Sequence, residues 1–147
     1  MADIGADLIT YLKSILNVRT IVGNGAAARI YQHRAVQGKQ LSYITFEVYE
    51  GTSAEYISGI TGIASNRVEI TCYGATSIAA YRLAEAVRLA PLQMYRGTMG
   101  DSFVLSVQSD GGYERGFDAP TAGGNQKRYW VERDYIIRFH EDVTDAV

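Results

Sequence analysis

The most constraining feature of the sequence is a pair of segments, residues 42–50 and 67–73, in which apolar and polar residues alternate strictly. Their apolar positions are Ile44, Phe46, Val48, Val68, Ile70 and Cys72. The intervening positions carry mainly Tyr, Thr and Glu, so each segment has the two-residue period of a half-buried strand. The second segment leads within about two residues into an amphipathic helix. Strand, tight turn and helix therefore form one unit of the fold.

Helix signals occur in two places. After a possible cap at Asp3, apolar residues at helical spacing predict a first helix to about Asn17. The second helix is predicted to begin at Thr76 or Ser77 and to end before Pro91. Its expected buried stripe consists of Ala79, Leu83, Ala86, Val87 and Ala90.

Three further strands are predicted, at residues 29–32, 102–108 and 128–140. The first is expected to pair antiparallel with the strand at 42–50. The expected inward residues of the other two are Phe103, Leu105, Val107, Val131, Tyr135, Ile137 and Phe139. The pattern predicts an α+β fold, with a mainly antiparallel sheet of about five strands and two helices packed on one face.

The 147 residues fit a single domain, in which two glycine-rich stretches, residues 51–66 and 109–127, are predicted to be long loops. Loops longer than about 12–15 residues are usually functional or disordered. The second stretch is therefore expected to be an assembly arm outside the folded core.

Composition excludes several classes of protein. With 47% hydrophobic and 20% charged residues the chain is expected to be globular, and no apolar run approaches the ~20 residues that span a bilayer. A net charge of -2 lacks the basic surplus of tight phosphate-backbone binders. Acidic residues near Met1 do not resemble a secretory signal, so the chain is expected to remain in the cytoplasm. Cys72, the single cysteine, is expected to be a small buried hydrophobe.

Candidate chemical motifs are sparse. Residues 23–28 have the form G-x-G-x-x-A, but the helix and parallel strands that a dinucleotide site needs are not predicted around them. His33 and His140 lack the spacing of a metal or catalytic pair. Glu47 and Glu69 are expected to be neighbours on the outer sheet face, where a solvated or intersubunit position explains them without acid or base catalysis.

Residues 127–133 interleave basic and aromatic side chains, as single-strand nucleic-acid binders do, but Glu132 interrupts the run. A contact with another protein subunit is favoured, because Arg and Trp are enriched at interface anchors. The eleven tyrosines also favour a protein interface, where tyrosine is enriched. The residues expected at a subunit or partner interface are Tyr43, Glu47, Tyr49, Tyr73, Tyr113, Arg115, Phe117, Arg128 and Trp130.

The order of these elements resembles the small tail-completion, or tail terminator, proteins of long-tailed bacteriophages and gene transfer agents. The resemblance rests on a first helix ending near Leu16 and on residues 29–31, 41–46, 67–73, 84–88 and 135–139.

The resemblance implies a non-enzymatic virion protein without cofactor or metal. It implies a homohexameric ring on the head-proximal end of the tail, assembled in the host cytoplasm, that caps the tube and stops its polymerisation. The implied partners are the major tail tube protein and a head completion or connector protein, and DNA would pass through the ring without specific binding. The alternatives are a head-tail connector or minor tail protein and, from another class, a small-molecule-binding or enzymatic α+β domain.

Overall fold

The computed structural model describes residues 4–23, 25, 28–33, 41–50, 55–56, 59–60, 63–89, 95–118 and 128–140. The helices in this part of the chain are α1 (Ile4–Ser14), α2 (Leu16–Val22) and α3 (Ser77–Val87). The strands are β1 (Ile30–Gln32), β2 (Tyr43–Glu50), β3 (Glu55–Tyr56), β4 (Gly59–Ile60), β5 (Ile63–Gly74), β6 (Gly97–Met99), β7 (Ser102–Asp118) and β8 (Arg128–His140).

Six of these strands form one sheet in the order β1-β2-β5-β8-β7-β6, and β3 pairs with β4 separately. The α+β class is confirmed, but the expected five antiparallel strands and two helices become a mixed six-stranded sheet with three helices. The antiparallel pairing predicted for the first two strands is wrong, because β1 runs parallel to β2. A local turn signal does not determine the direction in which the chain re-enters a sheet. The missed strands, β3, β4 and β6, have only two or three residues each, too few to show a period.

The predicted first helix, expected to reach about Asn17, ends at Ser14 as α1, and a second helix that was not predicted, α2, runs from Leu16 to Val22. Ile15 between them adopts an extended conformation, with φ -88° and ψ 117°. The two short helices can therefore bury separate apolar stripes, and Leu8 and Leu12 of α1 are as fully buried as Val18 and Val22 of α2.

The tight turn from β5 into α3 is built as the sequence predicts. Thr76 caps α3, since its hydroxyl accepts a hydrogen bond from the N–H of Ala79 at 3.0 Å. A Cβ on Gly74 would lie 2.6 Å from the Ala80 nitrogen, so this close approach requires glycine. The buried stripe is shifted from the expected one and comprises Ala80, Leu83, Ala84 and Val87.

A β-bulge in β7 overturns part of the predicted inward set. The register with β8 shifts between Val104 and Ser106, so Val104 and Val107 both face the core. An extra residue in one strand reverses the alternation beyond it. As a result Phe103, expected inside, is 40% exposed, and Leu105 is only half-buried. In β8, by contrast, the expected inward residues are all buried.

The structure also corrects the two expected long loops, residues 51–66 and 109–127. Residues 63–66 belong to β5, and 109–118 belong to β7, which pairs with β8 at Ser109 and again from Tyr113 to Asp118, with a register shift between Ser109 and Tyr113. Pairing with the following strand, β8, overrides the low strand propensity of glycine. The expected assembly arm is therefore largely a β-hairpin, and residues 119–127 lie outside the described part.

The sheet curls around the helices, because α1 contacts both edge strands, β1 and β6. Asp7 of α1 is buried and accepts hydrogen bonds from the Asp101 N–H, at 3.0 Å, and from the Ser102 hydroxyl. Tyr11 packs on Tyr95 with ring centroids 4.6 Å apart. The helices thus cover one face of the sheet and leave the other, called here the outer face, on the opposite side.

Candidate interaction surface

The outer face is ordered in rows that cross the strands, because residues directly opposite one another in the register share a row. At one end Tyr43 pairs with Tyr73, and Tyr73 pairs with Trp130. The next row runs from Thr45 and Thr71 to Glu132 and Glu114, and the row after it holds Glu47, Glu69 and Asp134. Aromatic and acidic side chains are therefore segregated along the strands.

The aromatic row consists of Tyr43, Tyr73 and Trp130, with Arg128 above it. The Tyr43 and Tyr73 rings stack with centroids 4.7 Å apart. The Arg128 guanidinium lies 5.1 Å from the Tyr73 ring centroid and donates a hydrogen bond to the Tyr43 hydroxyl at 2.7 Å. Trp130 covers Gly116, where a Cβ would come within 2.8 Å of the indole. This arrangement is a rigid, partly exposed aromatic platform.

The acidic patch lies next to the aromatic row and comprises Glu47, Glu69, Glu114, Glu132 and Asp134. Three like-charged pairs stand directly opposite each other across neighbouring strands, namely Glu47 with Glu69, Glu69 with Asp134, and Glu114 with Glu132. Like charges in such positions destabilise a sheet, by roughly 0.2–1 kcal/mol per pair. The free chain therefore carries unfavourable electrostatics on this face.

The local partners of the acidic patch reduce this repulsion only in part. Arg67 lies 3.1 Å from a Glu69 oxygen and 3.5 Å from an Asp134 oxygen, and the exposed His33 contacts Glu47 at 2.8 Å. Burial, followed by the charges of Glu69, Asp134 and Glu114, raises the pKa of the Glu132 carboxyl. Oxygens of Glu69, Glu132 and Asp134 lie within 4.8 Å of one another, but such clusters are common on surfaces without a metal ion.

Charges beneath α3, on the inner face, are complemented. Glu85 contacts Arg88 at 2.6 Å and Arg133 at 2.7 Å. The hydrogen bond from Arg88 is the main cause that lowers the pKa of the Glu85 carboxyl. Arg133 also donates a hydrogen bond to the Ala84 carbonyl at 3.4 Å, so this cation is held from two sides.

The solvent side of α3 exposes large apolar side chains. Ile78 is 64% exposed, Tyr81 46%, and Leu89, just after the helix, 65%. Arg82 lies among them and is also exposed. We call these four residues the α3 ridge. Exposed apolar groups clustered in this way mark contact surfaces more often than apolar residues scattered singly.

The structure brings together six of the nine expected interface residues. Tyr43, Tyr73, Trp130 and Arg128 form the aromatic row, and Glu47 and Tyr49 lie beside the acidic patch. Tyr43 is only 2% exposed, so it packs against Tyr73 and offers almost no surface of its own to a partner. Arg115 and Phe117 are exposed on the opposite face of the hairpin. The Tyr113 backbone pairs with Arg133, and its side chain lies outside the described part.

The alternative motifs occupy other roles. Gly23 ends α2 instead of beginning a helix, the reverse of the order in a dinucleotide site. Arg128 and Arg133 point to opposite faces of β8 and are engaged by Tyr43 and Glu85. Burial raises the pKa of the Cys72 thiol to about 12, so it is not a nucleophile at neutral pH. In the described part of the chain no helix has the length and apolar composition needed to cross a membrane.

Sequence reasoning placed Glu47 next to Glu69 but missed Glu114, Glu132 and Asp134 as members of the same patch. A signal for two of them was available, because Glu132 and Asp134 share the alternation of Trp130 along β8. The sequence does not show the register between strands, and it is the register that places these carboxylates opposite one another.

No protein-family model matches the sequence, and no curated protein matches it significantly. The fold is similar to that of a chain in the solved virion of a native gene transfer agent particle. The two chains share 16% identity with a TM-score of 0.63, over 92% of this chain and 93% of the other. A second solved structure, also 16% identical, has a TM-score of 0.44 over 93% of this chain and 98% of its own, which is too distant to carry an argument.

Proposed function

We propose that this chain is a structural virion protein of a phage or gene transfer agent, and that it acts as a tail terminator. The observation that carries the proposal is the likeness of the whole fold to a gene transfer agent virion chain at a TM-score of 0.63. The order of elements that resembles tail terminators supports the more specific role.

In this role six copies close a ring on the end of the tail tube, stop its polymerisation and present a surface for joining the head. A ring needs two different patches on each subunit that meet by rotation. The chain offers distinct surfaces of this kind in the outer face and the α3 ridge. A net charge of -2 also suits a protein near a DNA channel, since a basic lumen would bind passing DNA through counterion release.

Electron microscopy of intact particles carrying a tagged copy tests the role. The expected result is label confined to the head-proximal end of the tail, with sixfold density around the tail axis. Label along the tube would indicate a tube or minor tail protein, and label with another symmetry at the head vertex would indicate a connector. Either result would contradict the terminator role.

A second test uses purified tail tube protein from the same source, polymerised with and without this chain. A terminator is expected to bind one tube end and stop its growth, so the mean tube length falls as its concentration rises. Tube lengths that do not depend on this chain would contradict the proposal.

A further inference from the structure

The two sides of the molecule carry opposite surpluses of charge. On the outer face, the five carboxylates of the acidic patch lie on neighbouring strands, and Arg67 contacts two of them, Glu69 and Asp134. On the helical side, two guanidiniums, those of Arg88 and Arg133, contact the carboxylate of Glu85, and Arg82 is exposed on the same helix. The chain therefore contains both halves of a complementary pair of surfaces.

We propose that the acidic patch of one copy docks on the α3 ridge of the next copy. Arg82 enters among the carboxylates, where its planar guanidinium can bind them in a bidentate manner. The apolar ridge residues, Ile78, Tyr81 and Leu89, cover the neighbouring sheet surface. The proposal rests on the proposed function, since it names the surfaces through which the ring closes.

A second copy fits both surfaces better than other occupants do. A metal ion would satisfy carboxylates but would leave the α3 ridge exposed. The patch and the ridge differ and lie on opposite sides of the sheet, so the contact is heterologous and can continue from subunit to subunit. Docking also brings a cation to the three opposed carboxylate pairs, so repulsion present in the free chain favours assembly.

Zero-length crosslinking tests the contact directly. Arg82→Lys keeps the charge and supplies an amine, which a carbodiimide can join to a carboxylate in direct contact. Equal amounts of ¹⁵N-labelled and unlabelled Arg82→Lys protein are mixed, crosslinked free and on tail tubes, and digested. The expected product is a mixed-isotope peptide that joins Lys at position 82 to Glu69, Glu114, Glu132 or Asp134. Capped tubes without this product would show the docking to be wrong while the terminator role stands.

Charge reversal provides an independent test in the natural sequence. Arg82→Glu and Glu132→Arg are each expected to weaken self-association by about tenfold or more, measured by sedimentation velocity over a concentration series. The double variant is expected to recover most of this loss, because the opposite charges face each other again. Arg96→Glu is the matched control, because Arg96 is exposed outside both surfaces, and it should associate as the unmodified protein does.

The outcomes separate the two proposals. Restored association in the double variant with no effect on tube length would support the docking and contradict the terminator role. Arg82→Glu protein that associates and caps tubes normally would overturn the docking. Calorimetric binding of Mg²⁺ or Ca²⁺ that Glu132→Gln abolishes, with association unchanged in Arg82→Glu, would instead identify the patch as a cation site and would also overturn it.

Discussion

The two faces of the central sheet differ in how their charged side chains are paired. On the inner face, one carboxylate, Glu85, is bound by two guanidiniums at 2.6 and 2.7 Å. On the outer face, three pairs of carboxylates stand directly opposite each other. The same strand, β8, contributes to both arrangements through Arg133 on one side and Glu132 on the other.

The difference shows which interactions the chain satisfies by itself. The inner face has a folded partner, α3, whose Glu85 binds the Arg133 guanidinium that points there. The outer face has no helix over it in the described part of the chain, and its carboxylates repel one another. We interpret the inner face as optimised for folding and the outer face as reserved for assembly.

The largest difference is expected between two adjacent residues of β5. Ile70 on the inner face is 2% exposed, so Ile70→Ala removes buried contacts and should lower the free energy of unfolding by about 2–5 kcal/mol. Thr71 points to the outer face, and Thr71→Ala should cost about 0.5 kcal/mol or less. Urea unfolding of both variants checks this. Equal losses would mean that the outer face is as much a part of the core as the inner face.

The ion-pair cluster beneath α3 should show the next largest effect. Glu85→Ala leaves Arg133, which is 13% exposed, without its carboxylate and should cost about 1.5–3 kcal/mol, as expected for hydrogen bonds to charged groups. Arg82→Ala on the same helix serves as the control and should change the unfolding free energy by less than about 0.5 kcal/mol. A similar small change in both variants would contradict the view that the inner charges are complemented.

Substitution in the aromatic row is expected to cost less unfolding free energy than substitution on the inner face and more than substitution of Thr71 on the outer face. Tyr73→Ser removes the ring that stacks on Tyr43 at 4.7 Å and lies under Arg128, and we expect a loss of about 0.5–1.5 kcal/mol. Thermal unfolding followed by circular dichroism measures it, with Tyr81→Ser on the exposed ridge as the comparison. A larger loss than that of Ile70→Ala would place the row in the folding core.

Local patterns predicted the elements better than their arrangement. The alternation in β2, β5 and β8 and the cap at Thr76 are local features, and the structure confirms them. The direction of β1 and the extension of β7 through its glycines depend on pairing between residues distant in sequence. No local pattern contains that information.

The candidate surface was predictable to the same extent. Alternation placed Tyr73 and Glu69 on one face of their strand, but only the register brings Glu69 opposite Asp134 and Glu132 opposite Glu114. The bulge after Val104 shows the same limit, because one additional residue reverses which side chains face inward. The sequence therefore failed to predict those residues whose neighbours or inward orientation are set by the register between strands.

The smallest effect, and the only one expected to be stabilising, concerns Glu132. Its pKa is raised by burial and by Glu69, Asp134 and Glu114, so the folded state holds this proton more tightly than the unfolded state. The stability that Glu132 contributes is complete below its unfolded pKa, about 4.3, and is lost as the pH rises through the folded pKa. At neutral pH the charged carboxylate therefore destabilises the fold.

Glu132→Gln removes this titration and one of the opposed charges, so we expect it to raise the free energy of unfolding at pH 7 by roughly 0.2–1 kcal/mol. The gain over the unmodified protein should shrink toward zero as the pH falls below about 4, where the carboxyl is protonated in both states. Glu85 titrates equally in both proteins and cancels in the difference. Urea unfolding across this pH range measures the gain, and Asp101→Asn, at an exposed carboxylate away from the patch, is the control. A gain that is independent of pH, or a loss at pH 7, would mean that the outer face already satisfies its charges within the single chain.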